Sequence, residues 1–137
     1  MNKQPNKTDK SPFPVGYHTF HKNKDINFQL NRFYSYGHWT KSETEQVGSV
    51  VQKLENWTST LTGIAEQHLA NNRPLTAAFC YRAAEFYALP GDPLKMQLYD
   101  RFSELFYESI QVSNLEIFSI PYQDGALPAW RLSTENS

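Results

Sequence analysis

The 137-residue chain is predicted to be mainly α, a helical bundle of about five helices followed by a C-terminal antiparallel β-hairpin. Three observations predict this. From about residue 28 to residue 112, apolar residues recur at spacings of three and four, the period of helices that bury one face. Prolines, serines and asparagines fall between those stretches, where helices start and stop. Beyond them, two short β-type runs flank Asp124-Gly125, the strongest short-range hairpin signal.

The elements follow in order. Residues 1–14 are polar and hold Pro5, Pro12 and Pro14, so a disordered tail is expected. Residues 15–26 open the helical domain, which extends to 112, without a clear period. Phe28, Leu30, Phe33 and Tyr34 mark a short helix over about 28–36, with Gly37 as its stop. Ser42 and Glu45 stand at capping-box spacing. The helix behind them carries Val47, Val50, Val51 and Leu54 as one apolar stripe. The next helix, about 57–71, has Trp57, Leu61, Ile64, Ala65, His68 and Leu69 on one side and ends in an Asn71-Asn72 turn. Pro74 suits the first position of a helix reaching about 88, whose alanines allow close approach to a neighbour. Leu89-Pro90-Gly91 breaks it. Asp92 then caps, and Pro93 opens, a long helix to about 112. Leu94, Leu98, Phe102, Leu105, Phe106 and Ile110 mark its buried face, and Ser113-Asn114 ends it. The hairpin occupies 113–132, and 133–137 form a second disordered tail. Pro128 cannot donate a ladder hydrogen bond, which puts its strand at an edge. An isolated hairpin is marginal in water, so this one reads as the start of a larger sheet and the chain as the front part of a larger protein.

Net charge is −1, so no single-sign field draws in nucleic acid or an anionic membrane, and neither is expected as a partner. The aromatic share of 15% supplies bulky packing surface. Cys80 is the single cysteine, which rules out an internal disulfide and fits a reducing compartment. No signal-peptide pattern and no run of about 18 apolar residues is visible, so a cytoplasmic location is expected.

Little of the sequence points to chemistry. A serine nucleophile elbow needs glycines two residues to either side, and the glycines at 16, 37, 48, 63, 91 and 125 include no such pair. Cys80, among Ala78, Phe79 and Tyr81, reads as a small core residue. His18 and His21 are three apart and His38 stands alone, without cysteine partners or an HExxH pattern, so no metal is expected. With no glycine-rich phosphate loop, no cofactor is expected either. His68 lies on an apolar helix face and reads as a core histidine. Asp100, Glu104 and Glu108, at spacing four with Lys95 and Arg101 nearby, read as a solvated stripe. Arg82 and Glu85 are three apart. They form either a surface salt pair or a cleft-edge arginine tying its helix to the next. Leu61, Ile64, Ala65, His68, Ala77, Tyr81 and Ala84 follow the spacing of one tetratricopeptide repeat, where an array needs about three. A non-enzymatic module binding a peptide or a second copy is the alternative this pattern leaves open.

The run Tyr81, Arg82, Ala83, Ala84, Glu85, Phe86 and Tyr87, then Asp92-Pro93 and the long aromatic helix, then the hairpin from Ile120 to Trp130, together resemble a known family. They are similar to the N-terminal region of α/β-hydrolases with a helical segment ahead of the catalytic domain, of the dihydroxypseudooxynicotine hydrolase and fermentation–respiration switch esterase type. The resemblance covers about residues 36–132. It implies a helical cap over an active site and a hairpin forming the first two strands of the hydrolase sheet. It implies ester or C–C bond hydrolysis in the parent through a Ser-His-acid triad, on a small-molecule substrate bound only by the full-length protein. No triad member lies in this chain, so no catalytic residue carries over and the chain alone is expected to be inactive. Trp57, Arg82 and Tyr87 are the implied contacts between cap and pocket. Self-association through the open hairpin edge is also expected.

Overall fold

The structure is a computed structural model describing residues 13–110 and 115–132. It contains helices followed by a two-stranded antiparallel hairpin, as the sequence predicts. The chain divides into two compact units, the first ending at Phe106 and the second beginning at Tyr107. Residues 1–12 of the tail expected over 1–14, the tail expected over 133–137 and the helix stop at Ser113-Asn114 lie outside the described residues.

In the first unit, helix α1 is Lys24–Ser35, starting ahead of the expected Phe28. Asn23 sets that start, its side-chain oxygen accepting from the amides of Asp25 at 2.9 Å and Ile26 at 3.1 Å. Ile26, Leu30 and Phe33 fill the core from this helix. Two buried asparagines on α1 bind the aperiodic segment before it. Asn27 Oδ1 accepts from the amides of Phe20 at 2.7 Å and His21 at 3.0 Å. Asn31 bonds both the amide and the carbonyl of His18, each at 2.8 Å. A segment without regular structure is thus satisfied by side chains in place of a ladder.

Helix α2 is Lys41–Val50. Its capping box uses Thr40 and Glu43, not Ser42 and Glu45. Both pairs have the required spacing. The first is selected because Glu43 also meets Arg73 across the fold. The expected stripe is half right: Val47 and Val51 are buried, while Val50 and Leu54 are exposed. The buried face runs through Thr44, Val47 and Gly48. The chain then leaves the helix at Val51 (φ −72°, ψ 108°), so Leu54 drops off the stripe into a short 3-10 turn, Leu54–Asn56.

Helices α3 (Trp57–Ala70) and α4 (Pro74–Phe86) form the central pair. Trp57 Nε1 donates to the Ala83 carbonyl at 2.7 Å and Thr58 Oγ1 donates to the Ala84 carbonyl at 2.9 Å. The start of α3 therefore meets the end of α4, and the two are antiparallel. Fully buried Ala65, Ala77, Ala78, Ala83 and Ala84 bring the backbones close. Asn72, with φ +57°, makes the left-handed turn between them, a conformation asparagine tolerates. Gly91, with φ +87°, breaks the chain after α4, and Asp92 Oδ1 accepts from the Leu94 amide at 2.9 Å to start α5 (Pro93–Ile110). Leu98 and Leu105 are buried on α5, and Phe102 and Phe106 pack partly against the core. Leu94, expected to be buried, is exposed because the first turn only borders the core. The expected extension of α5 to 112 lies outside the described residues.

The second unit pairs β1 (Leu115–Tyr122) with β2 (Gly125–Leu132). Ile117 lies opposite Trp130, Phe118 opposite Ala129 and Ile120 opposite Leu127. The loop is Gln123-Asp124, one residue earlier than expected, with Gln123 at φ +51° and Gly125 already paired to Tyr122. A one-residue slip would turn every β2 side chain to the other face. It would part Arg131 from Glu116, 2.6 Å away, and Trp130 from Ile117. Among the described residues, no helix is long and apolar enough to cross a membrane.

Candidate functional site

Trp57 is fully buried, its indole N–H is bonded to Ala83, and its ring meets Tyr87 edge-on at 5.3 Å. It occupies the core between α3 and α4. Arg82 pairs with Glu85, but the buried partner is the glutamate, 7% exposed, which also takes Lys95 Nζ at 2.7 Å. It is thus Lys95, from α5, that ties α4 to the next helix. Tyr87 is half-buried beside a shallow groove bordered by Leu54, Thr58, Leu89 and Leu94, and burial raises its phenol above the ordinary range. The structure brings Trp57 and Tyr87 together, with Arg82 one ion pair further along α4.

His21 and His38 are held by contacts within the helical unit. His21 Nδ1 accepts from the Asn23 amide at 2.9 Å, so Nε2 carries the proton and donates to the Val51 carbonyl at 2.8 Å. His38 stacks on Phe79 at 4.3 Å, and burial lowers its pKa. The Asp100, Glu104 and Glu108 stripe is exposed, with Arg101 3.5 Å from Glu104.

The most elaborate polar constellation was not anticipated from the sequence. A cavity of about 260 Å³ lies between one face of α2 and one face of α3. Glu43, Gln46 and Val47 line it from α2, and Ile64, Gln67 and His68 from α3, with Asn71 at the C-terminal cap of α3. Trp39 and Cys80 form its floor, both buried. These residues sit at i, i+3, i+4 and i+7, so helical period alone puts them on shared faces. Burial pushes the Cys80 thiol up to about 12, so it stays protonated and unreactive. Burial also pushes the Glu43 carboxyl up, but hydrogen bonds from Arg73 and the Thr40 amide outweigh it, leaving the carboxyl below its usual range. Arg73 Nη1 also lies 3.3 Å from His68 Nδ1. Guanidinium has only donors, so Nδ1 accepts and the His68 proton sits on Nε2. His68 is therefore a half-buried cavity wall and not a core residue. Burial, and secondarily Arg73, hold its pKa below 6.5, against an opposing pull from Glu43.

Stability should therefore fall in acid in two stages. Unfolded His68 takes a proton at a higher pH than folded His68, so its contribution is complete above about pH 6.5 and is lost as the pH falls through the folded pKa. Glu43 behaves alike below about pH 4.5. Urea unfolding across this range should show His68→Asn weakening the first stage, with a remainder from His38, and Glu43→Gln weakening the second. PH profiles unchanged in both variants would contradict this assignment.

In the second unit, strand alternation puts Phe118, Ile120, Tyr122, Leu127 and Ala129 on one face. Phe118, Ile120, Tyr122 and Leu127 are all exposed. Ile117 and Trp130 share the other face, where Trp130 meets Tyr107 at 4.9 Å and Ile117 remains 69% exposed.

No protein-family model and no curated protein matches this chain.

Proposed function

We propose that the chain is the N-terminal helical cap portion and first hairpin of a serine α/β-hydrolase acting on ester or C–C bonds, and that it is inactive alone. The observation carrying this reading is the hairpin, which displays apolar side chains on both faces. Antiparallel hairpins at a protein surface alternate apolar with polar, whereas strands of an α/β sheet are covered on both sides. Phe118, Ile120 and Leu127 on one face and Ile117 on the other suit a strand pair that gains further strands and covering helices. The helical unit ahead of it supplies the cap that the resemblance implies. A lone, buried Cys80 suits a reducing location such as the cytoplasm.

Fragment complementation tests the reading. The partner is a hydrolase domain of this type expressed without its cap and first two strands. Mixed with this chain, it should show serine-dependent turnover of p-nitrophenyl esters that neither piece shows alone. Turnover by this chain alone, or none on mixing two folded pieces, overturns the proposal. The α3–α4 pair, with its tetratricopeptide-like spacing, favours a second reading as an interaction module. A clean, stable dimer in light scattering, together with failed complementation, would select it.

A further inference from the structure

The start of α4 is uncapped. No side chain accepts from its first-turn amides, and no acidic residue stands in that turn. Pro74 has no amide proton, and the Ala77 amide is bonded to the Arg73 carbonyl at 3.1 Å. The amides of Leu75 and Thr76 have no partner among the described residues, at the positive end of a 13-residue helix. Thr76 adds a third donor. The residue is 8% exposed, yet its hydroxyl has no hydrogen-bond partner among the described residues. Thr44, Thr58 and Thr62, also on helices, each donate to a backbone carbonyl. Thr76 Oγ1 is also not sealed from solvent. Thr76 lines an open pocket of about 540 Å³, together with Leu75 and Arg73 from the start of α4 and Lys41 from the start of α2. A hydroxyl on so buried a residue, unbonded and open to a pocket, needs an explanation, and a ligand supplies one.

The surrounding charge is positive. Arg73 Nη1 is taken by Glu43 and His68, which leaves the donors of Nε and Nη2. Lys41 Nζ is 3.9 Å from Glu45, and both side chains are more than half exposed, so this pair is weak. Among the described residues, no carboxylate lines the pocket. Two amides, a hydroxyl, a guanidinium and an ammonium offer more donors than the two oxygens of a carboxylate take up. They match the three oxygens and higher charge of a phosphoryl group. The volume lies within the usual span of about 300–1,000 Å³ for ligand pockets and exceeds what a phosphoryl group fills. Tyr34, Pro14 and Leu75 border the room that remains, which suits a small organic group.

We propose that this pocket binds the phosphate monoester of a small molecule, its phosphoryl oxygens accepting from the Leu75 and Thr76 amides and the Thr76 hydroxyl, with Arg73 and Lys41 balancing its charge. The site lies within the helical unit and does not depend on the hydrolase reading, so either can fail alone.

Titration of the full chain with phenyl phosphate, followed in ¹H–¹⁵N spectra, should shift the Leu75 and Thr76 amides to saturation. Inorganic phosphate should bind more weakly at the same amides, and benzoate should leave them unmoved. Thr76→Val removes the hydroxyl and keeps the shape. It should weaken phenyl phosphate binding about tenfold, the worth of one hydrogen bond to a charged group. Its Tm should not fall, because the hydroxyl holds nothing within the fold. Lys41→Gln, at an exposed position, tests the site even if Thr76→Val loses its fold. It should weaken binding several-fold and flatten its salt dependence. Lys53→Gln, exposed and outside the pocket, should bind as the unaltered chain does. Leu75 and Thr76 amides that ignore phenyl phosphate, or that follow benzoate equally, overturn the proposal. So does a folded Thr76→Val that binds undiminished, a Lys41→Gln no weaker than Lys53→Gln, or inorganic phosphate binding as tightly as the monoester.

Discussion

Trp57→Ala is expected to destabilise the helical unit by about 3–5 kcal/mol, the range for removing a large buried aromatic. The indole is fully buried at the α3–α4 crossing, where the flanking alanines are too small to collapse into the space it leaves. Truncation also frees the Ala83 carbonyl from its bond to Nε1. Trp57→Phe keeps most of the packing and loses only that bond, so it should cost about 1–2 kcal/mol. For a unit of this size each kcal/mol moves Tm by about 4–8 °C, so the alanine variant should melt more than ten degrees lower or fail to fold. Thermal and urea unfolding check both values. A loss below about 1 kcal/mol for Trp57→Ala would contradict its place in the core and restore the pocket-lining role implied by the resemblance.

Gly48→Ala should destabilise by about 2–3 kcal/mol, although an alanine inside a helix ordinarily gains about 1 kcal/mol over glycine. A Cβ at residue 48 would lie 2.2 Å from the Phe20 carbonyl oxygen and 3.3 Å from Leu30 Cδ1. The carbonyl cannot move aside freely. The Phe20 and His21 amides are bonded to Asn27, and the His21 ring to the Val51 carbonyl. Separating α2 from this segment would break those bonds. Gly63→Ala on α3 is the control, because nothing lies within 4 Å of its added Cβ. It should stabilise by about 0.5–1 kcal/mol. Equal effects from the two substitutions, measured by urea unfolding, would show that the close approach at Gly48 is not rigid.

The candidate site was far less legible than the fold. Glu43 appears in sequence as one of two acidic residues at capping spacing, and only its ion pair with Arg73, 30 residues away, separates it from Glu45. Trp39 reads as one aromatic among many. That its N–H is buried without an acceptor follows from what α2, α3 and α4 bring to it. A signal was present in the polar residues Gln67, His68 and Asn71 on a helix that otherwise buries Trp57, Leu61 and Ala65. Polar residues at the end of an apolar stripe can mark a cavity wall. Arg82 and Glu85 show the same limit. Their spacing predicts a pair, but the buried member is decided by Lys95 arriving from α5.

By itself the sequence determined the helical bundle, its breaks at Asn71-Asn72 and Leu89-Pro90-Gly91, the Pro74 start of α4, the Asp92 cap, and a hairpin turning near Asp124. Those features rest on interactions within a few residues, which helical period, proline and turn residues report directly. Tertiary structure alone decided the Thr40 box, the loop at Gln123-Asp124, the burial of Glu85 and the cavity above Trp39. In each case two or more local solutions have nearly equal energy, and a contact between residues distant in sequence selects one of them.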